Sequence, residues 1–138
     1  MAGLPRAALL LLAALAVALA VSSAARLVGG WMDAQVNEEG VQRALDFAIS
    51  EYNKASNDRY QSRALQVKNA RKQVVAGMNY ALEVEIGRTT CTKSQPKLGD
   101  CPFHEQPHLQ RKMLCSFQIY SIPWQGKMTM TKYSCENA

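Results

Sequence analysis

The spacing of apolar residues changes period once along this chain, and that change limits what it can fold into. Val41, Ala44, Leu45, Ala48, Ile49 and Tyr52 follow i, i+3, i+4, i+7, i+8, i+11, one stripe of an amphipathic helix. Gln42, Arg43, Asp46, Ser50 and Asn53 fall off the stripe, and Phe47 lies at its margin. Asn37 suits the cap, and Glu38 and Glu39 put negative charge at the positive end of the helix dipole. Ser56-Asn57-Asp58 offers a stop, because short polar side chains compete for backbone hydrogen bonds. Downstream the period becomes two. Tyr80, Leu82, Val84 and Ile86 alternate with Ala81, Glu83 and Glu85, and Cys115, Phe117 and Ile119 alternate with Ser116, Gln118 and Tyr120. Leu65 and Val67 open an earlier strand running into Gln73, and Lys127 to Cys135, rich in Thr and Met, makes a fourth. Residues 92–111, with Pro96, Gly99, Pro102 and Pro107, read as irregular. One helix followed by an antiparallel meander predicts an α+β domain, the apolar face of the sheet packed on the helix stripe.

The first segment stands outside this fold. A short stretch with one cation, Arg6, precedes an unbroken apolar run from Ala7 to Val21 and small residues at Ser22, Ser23, Ala24 and Ala25. That order is the pattern of a secretory signal peptide, and the run is shorter than the roughly 20 residues that span a bilayer. Cleavage after Ala20 or Ala25 fits, with Ala25 preferred, so residues 1–25 are read as the signal and 26–138 as one domain with one core. The remaining chain has no second apolar run and is expected to be secreted and soluble, without a membrane span. Its modest positive charge, +5 for the full 138 residues, aids solubility without identifying a partner.

All four cysteines, Cys91, Cys101, Cys115 and Cys135, lie in the C-terminal half, and an even count behind a signal peptide reads as two disulfides. Cys115 and Cys135 are symmetric about Gln125 inside the turn-like Pro123-Trp124-Gln125-Gly126, and Cys91 and Cys101 bracket a Pro/Gly loop. Sequential pairing is therefore expected. That leaves no thiolate to act with His104 or His108, so cysteine catalysis is excluded. Pro107 disfavours a helical His pair, and Cys101 is used in a disulfide, so no metal site is expected. Lys68 to Lys72 carries only three cations and no interleaved aromatics, and reads as a solvated strand face, with no nucleic-acid partner. The chain has no phosphate-binding loop, usable carboxylate pair or N-x-S/T site. Nothing here is an enzyme, and no cofactor is implied.

Three places remain unusual. Leu27-Val28-Gly29-Gly30 puts two apolar side chains before a flexible joint. Gln73-Val74-Val75-Ala76-Gly77 has the position of a hairpin tip, where water normally selects Asn, Asp, Ser and Gly. Pro123-Trp124 puts an indole at another turn. Each has an ordinary explanation: a frayed terminus, a valine-rich strand end, a tryptophan folded onto the sheet. Together they form a candidate binding edge, and a meander allows both tips to point the same way, which periodicity does not prove. A secreted basic protein that binds microbial surfaces or acidic polymers is the alternative.

These residues resemble a known family. Gly29, Gln73 to Gly77 as Q-x-V-x-G, Pro123-Trp124 and the four cysteines, together with Ala44-Leu45-Asp46-Phe47-Ala48, Gly87-Arg88-Thr89-Thr90-Cys91 and Cys115-Ser116-Phe117-Gln118-Ile119-Tyr120, are similar to the secreted, type 2 cystatins. The resemblance covers essentially all of 26–138. It implies a five-stranded antiparallel sheet wrapped around one long helix, with sequential disulfides. It also implies reversible, tight inhibition of papain-like cysteine proteases such as the cathepsins. By the same resemblance Gly29, Gln73, Val74, Val75, Ala76, Gly77, Pro123 and Trp124 enter the protease cleft, with Leu27 and Val28 in its substrate pockets. Ser56, Asn57 and Asp58 match a separate legumain-binding site of some members, Asn57 being the residue presented. The active form is expected to be a monomer. A strained Val75 at the tip is expected to favour opening of the hairpin and exchange of a helix-and-strand unit between two chains. Trp31 departs from the family pattern, and its role stays open between contact near the arm and packing on the domain.

Overall fold

A computed structural model of the chain describes residues 29–94 and 100–138. The expected signal segment, with Leu27 and Val28, lies outside the described residues. Residues 31–138 form one compact unit. Its long helix, α1, spans Glu39–Ala55 and buries Val41, Ala44, Leu45, Ala48 and Ile49 of the stripe read from the sequence; Tyr52 is half-buried, and Asn53, read as off the stripe, is buried. The cap is Glu38, one residue beyond the expected Asn37. Glu38 accepts a hydrogen bond from the Gln35 amide (3.3 Å) and another from Lys72 Nζ (2.9 Å), which anchors the start of the helix to the sheet.

Five antiparallel strands follow sequence order across one sheet: β1 (Trp31–Asp33), β2 (Tyr60–Val75), β3 (Gly77–Thr92), β4 (Met113–Ile122) and β5 (Lys127–Asn137). The apolar face of β3 and β4 supplies Tyr80, Leu82, Val84, Ile86, Cys115, Phe117 and Ile119 to the core, where they meet the α1 stripe and Ala70 of β2. Alternation and helix stripe thus share one core, which is the arrangement their periods require. Phe117 is the largest fully enclosed side chain and meets the Tyr52 ring edge-on at 6.5 Å. The cysteines pair sequentially, 91–101 and 115–135, and the second bond joins residues in direct register across β4 and β5.

Besides the cap, period alone misses three features. β1 adds a fifth strand that the resemblance implied but that three residues are too few to reveal by period. β2 begins at Tyr60, five residues before Leu65, because register shifts at Tyr60/Ser62, Ala64/Gln66 and Val67/Asn69 break its alternation. The loop read as irregular holds a one-turn helix, Pro107–Gln110, with Pro in its first turn, where the missing N–H costs nothing.

Candidate functional site

One row of paired residues crosses all five strands. Trp31 is opposite Gln73, Gln73 opposite Asn79, Asn79 opposite Tyr120, and Tyr120 opposite Thr129. Just beyond this row the chain turns twice. The β2–β3 hairpin turns at Ala76, with Val75 opposite Gly77. The β4–β5 hairpin turns through Pro123–Gln125, with Ile122 opposite Lys127. Both tips therefore leave the same end of the sheet, the arrangement that the meander allowed. Trp31 begins β1, the strand that pairs with β2 beside the first tip. That assigns Trp31 a structural place, half-buried in the edge strand.

Each tip depends on a glycine with positive φ. Gly77 has φ 109°, and a Cβ there would lie 2.5 Å from the Ser121 carbonyl oxygen. The first hairpin consequently packs its backbone directly on β4. Gly126, with φ 61°, closes the turn after Trp124, donating its N–H to the Pro123 oxygen at 3.1 Å. Two further bonds brace the first tip. The Tyr120 hydroxyl donates to the Ala76 carbonyl, and the Asn79 amide donates to Gln73 Oε1 at 3.1 Å. The sequence alone does not mark Asn79 or Tyr120, since only strand register brings them to the tip.

What the tips present is apolar. Trp124 is 69% exposed, which removes the reading of an indole folded onto the sheet, and Val74 is 46% exposed. Ala76 and Pro123 are also exposed, Gln73 and Val75 are half-buried, and Gly77 is buried. The expected strain at Val75 is not found: it lies within β2, and Arg111 is the one non-glycine residue with positive φ among those described. The unusual backbone is carried by Gly77, where it costs little.

Ser56, Asn57 and Asp58 lie at the other end of β2, between the end of α1 and Tyr60. Asn57 is exposed, and its neighbours are held. The Ser56 carbonyl accepts from Lys93 Nζ, and Ser56 Oγ accepts the Asp58 amide at 3.1 Å. Asp58 Oδ1 accepts the Tyr60 amide at 3.0 Å, and its Oδ2 accepts Arg88 Nε at 2.8 Å and Nη2 at 2.6 Å. Burial acts to raise the Asp58 carboxyl, but the Tyr60 amide, the Arg88 hydrogen bonds and the charges of Arg88 and Arg111 outweigh it and hold it below its ordinary value. A surface cleft of about 500 Å³ adjoins the loop, lined in part by Tyr52, Arg59, Arg88, Arg111 and Met113. The anchors Arg88 and Lys93 are some 30 or more positions away in sequence, and no local pattern marks them.

Other candidates are absorbed by structure. All four cysteines are in disulfides, so Cys101 cannot join His104 as a ligand. His104 instead sets its ring edge-on against Tyr60 at 4.9 Å. Among the described residues no group of His, Cys, Asp and Glu is placed to hold a metal ion. Lys68 and Lys72 are ion-paired with Glu85 (3.6 Å) and Glu38 (2.9 Å), which leaves little of the basic stretch for an acidic polymer.

Comparison with known proteins agrees with this geometry. A model of the Cystatin domain matches residues 29–124. Cystatin-C of Macaca mulatta is 70% identical over an alignment of 146 positions that covers all of both chains, and Cystatin-C of Homo sapiens is 69% identical over the same extent. Among solved structures, that of dimeric human cystatin F superposes with a TM-score of 0.76 at 30% identity, covering 80% of this chain and 89% of that one.

Proposed function

The chain belongs to the cystatin family, among the type 2 members similar to cystatin C, and is no enzyme; from that premise we propose how it inhibits papain-like cysteine proteases of the cathepsin kind. Residues 1–25 direct secretion and are removed. Gln73 to Gly77 and Pro123-Trp124 then enter the active-site cleft side by side, and the arm tethered at Trp31 lays Leu27 and Val28 into substrate pockets. Gly29 lets the arm turn away before a peptide bond reaches the catalytic thiolate. Inhibition follows from occupancy, with no covalent bond. The active form is the monomer, because exchanging the hairpin between two chains would dismantle the first tip.

The observation that carries this reading is the five-strand row, which gathers two braced tips at one end with Val74 and Trp124 turned to solvent. A protease cleft is concave and partly apolar, and fully burying such side chains contributes roughly 1.5–3 kcal/mol each before ordering costs. Those ordering costs are small here, since both turns are already fixed by glycines and cross-strand bonds. Titration of papain with the chain, with and without residues 26–29, tests the reading. Tight inhibition by the longer form and weaker inhibition by the shorter are expected.

A second reading is favoured by Asn57, which stands exposed between two anchored neighbours at the opposite end of the sheet from the tips. We propose that Ser56, Asn57 and Asp58 form an independent loop that inhibits legumain. Asn57→Lys is expected to abolish that inhibition and leave papain inhibition unchanged. Legumain inhibition surviving this change would contradict the assignment.

A further inference from the structure

An exposed asparagine on a loop is ordinarily a substrate for a protease that cuts after asparagine. For this loop to inhibit legumain instead, something must hold it against cleavage, and the inference rests on that second reading. Among the described residues, the long-range contacts on either side of Asn57 lead back to β3 or to the residue just after it. On the N-terminal side, Lys93 Nζ holds the Ser56 carbonyl, while beyond Asp58 the Lys93 amide donates to the Arg59 oxygen at 3.1 Å. On the C-terminal side, the Arg88 guanidinium closes on Asp58 with two N–H groups.

Arg88 is itself well rooted. Its side chain is 11% exposed, and its guanidinium lies 5.5 Å from the centre of the Tyr60 ring. Its strand partner is Ser62, whose amide and carbonyl are both bonded by the Asn53 side chain of α1, at 2.8 and 2.9 Å. Asn53 and Ser62 are buried, so the end of α1, the start of β2 and Arg88 form one framework under the loop. Two donors on one largely shielded carboxylate make a strong, directional contact, stronger than a solvent-exposed ion pair. A loop already fixed in its bound shape loses less freedom when an enzyme engages it. It also keeps both sides of the Asn57–Asp58 bond in place while it is engaged.

We propose that Arg88 is the positioning residue of the second inhibitory loop, clamping Asp58 so that Asn57 is offered pre-shaped and resists being cut. Among the described residues Arg88 has no recorded contact with the papain-binding tips, so it acts on one of the two activities alone.

The test uses the complete secreted protein with legumain and papain as probes. Arg88→Met is expected to weaken legumain inhibition at least tenfold and to speed cleavage between residues 57 and 58. Papain inhibition should stay within about twofold. Asp58→Asn should behave alike, and the double variant should be no worse than either single one. Arg88→Lys, with its charge but without the two-pronged contact, should restore the function only in part. If Arg88→Met fails to fold, Asp58→Asn carries the same readouts. Legumain inhibition and cleavage unchanged in a folded variant would overturn the positioning role and leave the loop assignment standing. Equal loss against both proteases would reduce Arg88 to general stability and also overturn it. A parent protein that does not inhibit legumain would remove the loop assignment, and the clamp with it.

Discussion

The Tyr120 hydroxyl donates a hydrogen bond to the carbonyl of Ala76, tying the apex of the first hairpin to the strand that leads into the second. The two tips are thus coupled by a specific contact as well as by register. Removing it in Tyr120→Phe leaves the ring and its packing. A hydrogen bond of this kind contributes about 0.5–1.5 kcal/mol net, so papain inhibition should weaken roughly 2- to 10-fold through faster dissociation. Stopped-flow dissociation of the complex measures this.

Gly77 is expected to be intolerant of any side chain. Alanine there must adopt φ near 109° and meets the Ser121 oxygen at 2.5 Å. Backbone strain of this type costs about 1–3 kcal/mol, and the clash adds to it. Gly77→Ala should lower the urea midpoint and weaken papain inhibition together, since relief of either problem displaces the tip from β4.

Trp124 should behave in the opposite way. At 69% exposure it supports nothing in the free chain, so Trp124→Ala should change stability by less than about 0.5 kcal/mol. As a central aromatic in the interface it should cost about 2–4 kcal/mol of binding, roughly 30- to 700-fold in affinity. Paired calorimetry of folding and binding separates the two effects.

Asp58 gives the acid limb of stability a named source. Its folded-state pKa is depressed from the ordinary 3.8. The stabilisation it supplies is therefore complete above that ordinary value and is lost as pH falls through the folded value. Urea midpoints between pH 5 and 2 should fall less steeply in Asp58→Asn than in the parent, with the curves converging at the acid end.

The parts legible in the sequence are those with a long, clean period. The alternation of Tyr80–Ile86 and Cys115–Ile119 is correct residue by residue, and the α1 stripe is correct from Val41 to Ile49, whereas Asn53, read as lying off the stripe, is buried because its side chain bonds the backbone of Ser62. β2 is half legible: its bulges shift side chains between faces, and Leu65, read as its first apolar residue, is 37% exposed. β1 has too few residues for any period. Turn chemistry locates the two tips but not their backbone, and the unusual φ at the first tip belongs to Gly77, where it costs little, and not to Val75. Arg88 and Asp58 are 30 positions apart, and nothing local marks either as the other's partner. Register joins such residues, and register is set by the whole sheet.

Blockade of a papain-like active site is the central claim, and active-site titration of papain with folded chain lacking residues 1–25 tests it most directly. Activity should fall linearly to near zero at one molar equivalent and return when the complex is denatured under conditions that the protease survives. Full protease activity at a large molar excess of disulfide-intact, monomeric chain would contradict the account.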